Sequence, residues 1–250
     1  MKALIFAAGL GTRLRPYTND RPKALVEVAG RPMLEHVVEH LKAAGVDDIT
    51  INIHHFGQQV IDEVERKGGY GVNVHISDER DLLLDTGGGI LHAREWLDGD
   101  EPFLVHNADI LTDLDLRAFY DYHVHHQALS TILVKARETQ RYFLLDDNDQ
   151  LHGWINKATG EVRPDGVTPH PDWHELAFGG LHVVSPAIFD LLERYSATAG
   201  PKFSITPFYI AACATHKIHG YHPSTPYHWL DIGKPETLAL ANRELSHNPQ

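Results

Sequence analysis

The sequence predicts an α/β protein built on a mostly parallel sheet with helices on both faces. Three observations carry the prediction. Short apolar, β-branched runs alternate with amphipathic stretches through the first half, glycines and a proline punctuate those stretches, and polar residues follow the runs directly.

Taken in order, residues 2–8 have strand length and composition and break at Gly9. Residues 25–30 give a short extended segment and a turn at Gly30. Pro32 opens a helix whose apolar Met33, Leu34, Val37, Val38 and Leu41 share one face, and Gly45 closes it. Residues 48–55 form a second strand and 56–69 a helix stopped by glycines. A third strand at 72–77 leads to a helix over 86–97 that opens on three glycines, and a fourth strand spans 102–110. Ligands of such sheets collect at the carboxyl ends of the strands. The loop after the first strand, the glycines after the third, and Asn107 with Asp109 all belong to that edge.

The second half changes character. Residues 128–136, 141–147 and 150–156 read as strands, with a turn at 146–149, and form a β insertion. The stretch 160–175 is rich in turn formers and reads as a surface loop, a candidate flap. A strand at 176–185, helices over 186–195 and 205–214, strands at 217–222 and 227–233, and a helix at 234–246 complete the chain, with residues 247–250 as a frayed tail. Residues 1–250 are expected to form one domain in two halves, 1–127 and 128–250, the second ending in closing helices.

Composition narrows the function. The 42% hydrophobic and 22% charged content is that of a water-soluble globular protein, no apolar run approaches membrane-helix length, and no secretory segment opens the chain. A cytoplasmic monomer or small homo-oligomer is expected. Cys213 is the single cysteine, so neither an internal disulfide nor a cysteine-based zinc site can form. A net charge of −12 argues against nucleic acid as a partner. Of the 19 histidines, His123, His125 and His126 cluster at a predicted helix end, where imidazoles suit the negative end of the dipole better than a metal. His54, His55, His106 and His228 lie nearer the predicted site as weaker candidates for substrate contacts.

The chemistry concentrates in the opening loop. Arg13, Arg15, Arg21 and Lys23 face a single acid, Asp20, and Gly9 and Gly11 let backbone N–H groups approach phosphate oxygens that a Cβ would hold away. The loop reads as a polyphosphate cradle or as a solvated basic loop. Leu14 stands where a dinucleotide fingerprint needs its third glycine, and the Gly-Lys-Ser/Thr of a P-loop is absent. Asp109 and Asp231, each at a predicted strand end, are either turn caps or ligands of Mg²⁺, which takes one or two carboxylates with substrate phosphates and water. The loop's charge favours the metal. The run Asp85, Thr86, Gly87, Gly88, Gly89 admits something flat at close range, such as a nucleobase, or is a hinge.

The segment FAAGLGTRLRPYT followed by RPKAL resembles the signature of sugar-1-phosphate nucleotidylyltransferases, and DTGGGI, NADI and WLDIGKPE resemble the later motifs of that family in the same order. The resemblance implies a GT-A-like, Rossmann-like fold with a β-rich sugar-binding insertion, residues 1–127 forming the nucleotide-binding half and 128–250 the sugar-binding half with closing helices. It implies Arg13 and Lys23 as catalytic ligands of the triphosphate, with Ala8, Gly9, Gly11 and Thr12 shaping the cradle. Glu79, Thr86 and Gly88 would lie near the base, Asn107, Asn156, Lys157 and Gly179 near the sugar phosphate or sugar, and Asp109 and Asp231 on Mg²⁺. The chain departs from the family's Glu-Lys-Pro with Asn156, Lys157 and Ala158. The reaction implied joins a nucleoside triphosphate to a sugar 1-phosphate and releases pyrophosphate. Chain length and the TGGGI turn most resemble the short members that take UTP and N-acetylmuramate 1-phosphate in peptidoglycan recycling, ahead of mannose or heptose 1-phosphate guanylyltransferases. From other classes, a non-catalytic nucleotide-sugar binding protein would not require Arg13, Lys23, Asp109 and Asp231 together, and a nicotinamide-dependent oxidoreductase is weakened by Leu14.

Overall fold

A computed structural model describes residues 1–247. The chain runs β1 (Lys2–Phe6), β2 (Glu27–Val28), β3 (Arg31–Pro32), α1 (Met33–Ala43), β4 (Asp48–Ile53), α2 (Gly57–Arg66), β5 (Asn73–Asp78), α3 (Asp85–His92), α4 (Arg94–Leu97), β6 (Phe103–Asn107), β7 (Ile110–Thr112) and α5 (Leu116–His126). It continues through β8 (Ser130–Lys135), β9 (Arg141–Leu145), β10 (Leu151–Asn156), β11 (Glu161–Arg163), β12 (His174–Val184), α6 (Ile188–Ala199), α7 (Ile205–Ala212), β13 (Ile218–Tyr221), β14 (Trp229–Asp231) and α8 (Pro235–His247). Of the expected frayed tail, residues 248–250 lie outside the described residues.

β5, β4, β1 and β6 pair in parallel, as the alternating first half requires. β12 then joins β6 antiparallel, and β8, β9, β10 and β11 extend the sheet on that side. Side-chain alternation along β1 divides the apolar residues between the two faces. Ala3 and Ile5 pack with residues of α1, α2 and α5, while Leu4 joins a second cluster with residues of α3, α6 and α7. Both faces are therefore covered by helices.

The structure refines two sequence boundaries and adds a packing role for the α3 glycines. The fourth strand divides at 108–109, so that β7 leaves the main sheet and pairs with β14 instead. The stretch expected to be a loop at 160–175 contains β11, which adds to β10. The glycines of α3 serve packing: a Cβ on Gly87 would lie 2.4 Å from the Phe203 ring, one on Gly88 2.3 Å from the Pro201 carbonyl oxygen, and one on Gly89 2.9 Å from Glu79. Their N-terminal amides close the same contact, since Gly87 and Gly88 both donate to the Phe203 carbonyl.

The histidine cluster also differs from expectation at one member. His123 is buried, with its ring nitrogens on Thr131 Oγ1 and Ser185 Oγ at 2.9 and 3.0 Å. Burial pushes His123 down to about 4, His106 to about 4 and His182 to about 3. An unfolded histidine titrates near about 6.5, so below that pH the unfolded chain binds protons that these three refuse. Stability is then lost as pH falls from about 6.5 toward 4, each group costing on the order of 1.4 kcal/mol per pH unit. Glu79 and Asp149, whose carboxyls burial raises, act in the opposite sense. Thermal unfolding at pH 7.5, 6 and 5 is expected to show a Tm that falls steadily, and a level Tm would contradict the burial of these imidazoles.

Candidate active site

The site lies at the carboxyl ends of β1, β4, β5 and β6, where two cavities meet. The smaller, about 380 Å³, is lined by residues including Ala8, Gly9, Lys23, Glu79, Thr86 and Lys202. The larger, about 580 Å³, takes in Arg13, Gly179, Gly180, Trp229 and Asp231. Asn107 and Asp109 line both and form the waist between them.

A buried polar string shapes the smaller cavity. The amides of Ala7 and Ala8 both donate to Asn52 Oδ1 on β4, at 2.7 and 3.2 Å. Asn52 Nδ2 in turn donates to Glu79 Oε1 at 2.8 Å, and Glu79 Oε2 accepts the Leu84 amide at 3.0 Å. Both side chains are buried, at 2% exposure each, and burial holds the Glu79 carboxyl above its ordinary value. With both oxygens committed, Glu79 acts as a brace that fixes where β1 ends. The loop beyond turns on Gly11, at φ 63°, whose carbonyl accepts the Thr18 hydroxyl at 2.8 Å. Gly9 has nothing within 4 Å of its Cβ position and leaves its backbone open to the cavity.

Leu14, which excludes the dinucleotide fingerprint, is fully buried in a small core with Val26, Val28, Met33, Ile232, Leu238 and Ala241. The opening loop is thereby pinned to the end of the chain. That packing brings the distant charged residues together. β7 and β14 pair with Ile110 opposite Asp231, and the Ile232 amide donates to the Asp109 carbonyl at 2.9 Å. Lys23 forms an ion pair with Asp109. A Cβ placed on Gly233 would lie 2.7 Å from Asp231 Oδ1, 3.0 Å from Arg13 Nη2 and 3.3 Å from Lys23 Nζ. Three charged groups thus converge on one glycine, and Asp109 joins them through Lys23, so that residues from three separate parts of the sequence meet.

Other expected site residues fall differently. Thr86 lines the smaller cavity, but its hydroxyl accepts the Ile205 amide at 2.9 Å. Gly88 faces Pro201 and lines neither cavity, and Thr12, in the turn before Leu14, lines neither as well. Gly179 lines the larger cavity and accepts the Trp229 indole N–H at 2.8 Å. Asn156 accepts the Ala158 amide within its own hairpin and Lys157 pairs with Glu175 on β12, and neither lines the cavity. His54 meets the Glu79 carbonyl at 2.7 Å, His55 packs on Phe56, His106 is buried within β6, and His228 pairs with Glu244; none lines either cavity.

Sequence reasoning missed Asn52, Gly233 and the far wall of the larger cavity, where Arg137, Arg141, Phe143, Trp154 and Arg163 stand. Asn52 carried no distinct signal, because Asp48, Thr50 and Asn52 alternate with isoleucines along β4 and the amide reads as one more polar position.

A family model described as Nucleotidyl transferase matches residues 2–248. The chain belongs to the nucleotidyl transferase family. It is 32% identical to an N-acetylmuramate alpha-1-phosphate uridylyltransferase of Caulobacter vibrioides, over 98% of this chain and 96% of that one. A protein of the same name from Neisseria meningitidis serogroup B is also 32% identical, with 93% of each chain covered. A mannose-1-phosphate guanyltransferase of Candida albicans is 29% identical, over 94% of this chain and 62% of that one. Among solved structures, a putative glucose-1-phosphate thymidylyltransferase from Bacillus anthracis superposes with a TM-score of 0.81 at 19% identity, covering 100% of this chain and 96% of that one. HddC from Yersinia pseudotuberculosis, complexed with GMP-PN, gives 0.74 at 23% identity, with 98% and 99% covered. This nucleotidyltransferase is therefore an enzyme with the α/β fold expected, and no helix among the described residues is long and apolar enough to cross a membrane.

Proposed function

We propose that this nucleotidyltransferase transfers UMP from UTP to N-acetylmuramate 1-phosphate, releasing pyrophosphate. The observation that carries the reaction type is the convergence of Arg13, Lys23, Asp109 and Asp231 at the waist between two cavities. The sugar and base are supported by the two relatives of that name, whose length this chain nearly spans.

The smaller cavity receives the nucleoside triphosphate and the larger the sugar 1-phosphate. A phosphate oxygen of the sugar 1-phosphate attacks the α-phosphorus in line, its new O–P bond forming as the bond to the β-phosphate oxygen breaks. The nucleophile is already ionised at neutral pH, so the protein supplies position and countercharge in place of a general base. The open backbone at Gly9 lies against the triphosphate, Lys23 neutralises charge on the nucleotide side of the waist, and Arg13 grips phosphate oxygens from the sugar side. Asp109 and Asp231 fit Mg²⁺: they are hard oxygen donors that the β7–β14 pairing brings together, Asp109 just before β7 and Asp231 at the end of β14, and a cation, the Lys23 ammonium, already sits against one of them. When bound, the ion supplies Lewis-acid polarisation of phosphoryl oxygens.

The reading is tested by pyrophosphate release across four nucleoside triphosphates and a panel of sugar 1-phosphates with Mg²⁺. The highest kcat/KM is expected with UTP and N-acetylmuramate 1-phosphate. A preference for GTP with mannose or heptose 1-phosphate would overturn the choice of substrates.

A further inference from the structure

The far wall of the larger cavity holds charge that the transfer reaction does not use. β9, β10 and β11 pair so that Arg141, Asn156 and Glu161 form one cross-strand row and Phe143, Trp154 and Arg163 the next. Residues two apart on a strand share a face, so all six point the same way, and all but Asn156 line the cavity. Arg137, just past β8, joins them: its guanidinium lies 5.5 Å from the Trp229 ring and donates to the Phe178 carbonyl at 3.2 Å.

A charge count isolates two of these groups. Four arginines and three acids line the cavity. Asp109 is paired with Lys23, Asp231 stands beside Arg13, and Glu161 is paired with Arg163. Arg137 and Arg141 have no carboxylate partner among the described residues, and the Arg141 guanidinium makes no hydrogen bond with any of them. In a chain of net charge −12, these two exposed guanidinium groups on one cavity wall give the cavity a local positive charge that suits an anion. The phosphate of a sugar 1-phosphate does not satisfy them, because the reaction holds it at the waist with Arg13. Beside them, Phe143, Phe178 and Trp154 offer apolar surface for ring CH groups and a short alkyl arm.

We propose that Arg141 and Arg137 form a carboxylate subsite, so that the preferred sugar 1-phosphate carries a second anion as a carboxylate on a ring substituent. The inference rests on the transferase reading of the same cavity. A guanidinium fork matches a carboxylate in two parallel hydrogen bonds, and a sugar lacking the group would forgo both contacts and leave the two exposed cations to water.

The test compares kcat/KM with UTP for N-acetylmuramate 1-phosphate, for N-acetylglucosamine 1-phosphate, which lacks the ether-linked carboxylate, and for glucose 1,6-bisphosphate, whose second anion is a phosphate. The wild-type enzyme is expected to favour the carboxylated sugar over N-acetylglucosamine 1-phosphate by about 10–100-fold. Arg141→Gln should shrink that ratio by about tenfold, through KM, with Tm unchanged, and Arg141→Glu should invert it. A ratio unaltered by Arg141→Gln, a wild type indifferent to the carboxylate, or a preference for the bisphosphate would each overturn the subsite while leaving the transferase intact. Absence of pyrophosphate release with every sugar 1-phosphate would overturn both.

Discussion

Lys23→Ala is expected to lower kcat/KM for pyrophosphate release by about 10²–10³-fold, the loss that follows removal of one preorganised countercharge from a transition state. The fold should be unaffected, because the ammonium serves the cleft and touches none of the three apolar clusters. Lys23→Arg is expected to restore little. The ammonium reaches Asp109 as a point charge in a crowded corner shared with Arg13 and Asp231, and a planar fork needs room that the Gly233 contact distances deny it. Steady-state kinetics of the two variants beside their thermal unfolding curves check the claim. Near-normal turnover in Lys23→Ala would remove Lys23 from the reaction.

The second large effect is at Asp231. Asp231→Asn keeps an oxygen for the Gly233 amide, which the native carboxylate accepts at 2.7 Å, so the turn between β14 and α8 survives while the charge is lost. Turnover at fixed Mg²⁺ is expected to fall by about 10²–10³-fold, corresponding to several kcal/mol of lost phosphoryl charge stabilisation. A Mg²⁺ titration should show a rise in the concentration needed for half-maximal rate. An unchanged titration curve would leave Asp231 as a turn cap only. Asp231 is the better probe of the two carboxylates, since neutralising Asp109 would also strand the Lys23 ammonium. For the same reason Lys23→Ala and Asp109→Ala should not add when combined, because each single change already dismantles the pair.

Much of the architecture was legible because its signals are local. The alternation of β-branched runs and amphipathic stretches specified β1, β4, β5 and β6 with the helices between them, and the charge of the opening loop pointed to its end of the sheet. The glycines of α3 were legible as an anomaly but their packing was not, because the segment that crowds Gly87 and Gly88, 201–203, lies more than a hundred residues away. The arginine wall was hidden for a related reason. Only the register among β9, β10 and β11 puts Arg141, Trp154 and Arg163 on one face, and the turn-rich composition of 160–175 disguised β11 altogether. His123 shows the limit of reading a helix end as surface: the last turn of α5 lies against β8 and Ser185, so the ring that the dipole argument exposed is enclosed.

The two-stranded ribbon of β7 and β14 has a consequence for synthesis of the enzyme. The first of these strands emerges early from the ribosome and its mate only near the end of translation, with α8 after it. The parallel core can collapse while the chain is still growing, but Asp109 waits for Asp231 and the loop bearing Leu14 waits for Ile232 and Leu238. On the proposed assignment of Asp109 and Asp231, catalytic competence arrives as the last act of folding, and a nascent chain arrested before residue 229 is expected to lack an assembled centre.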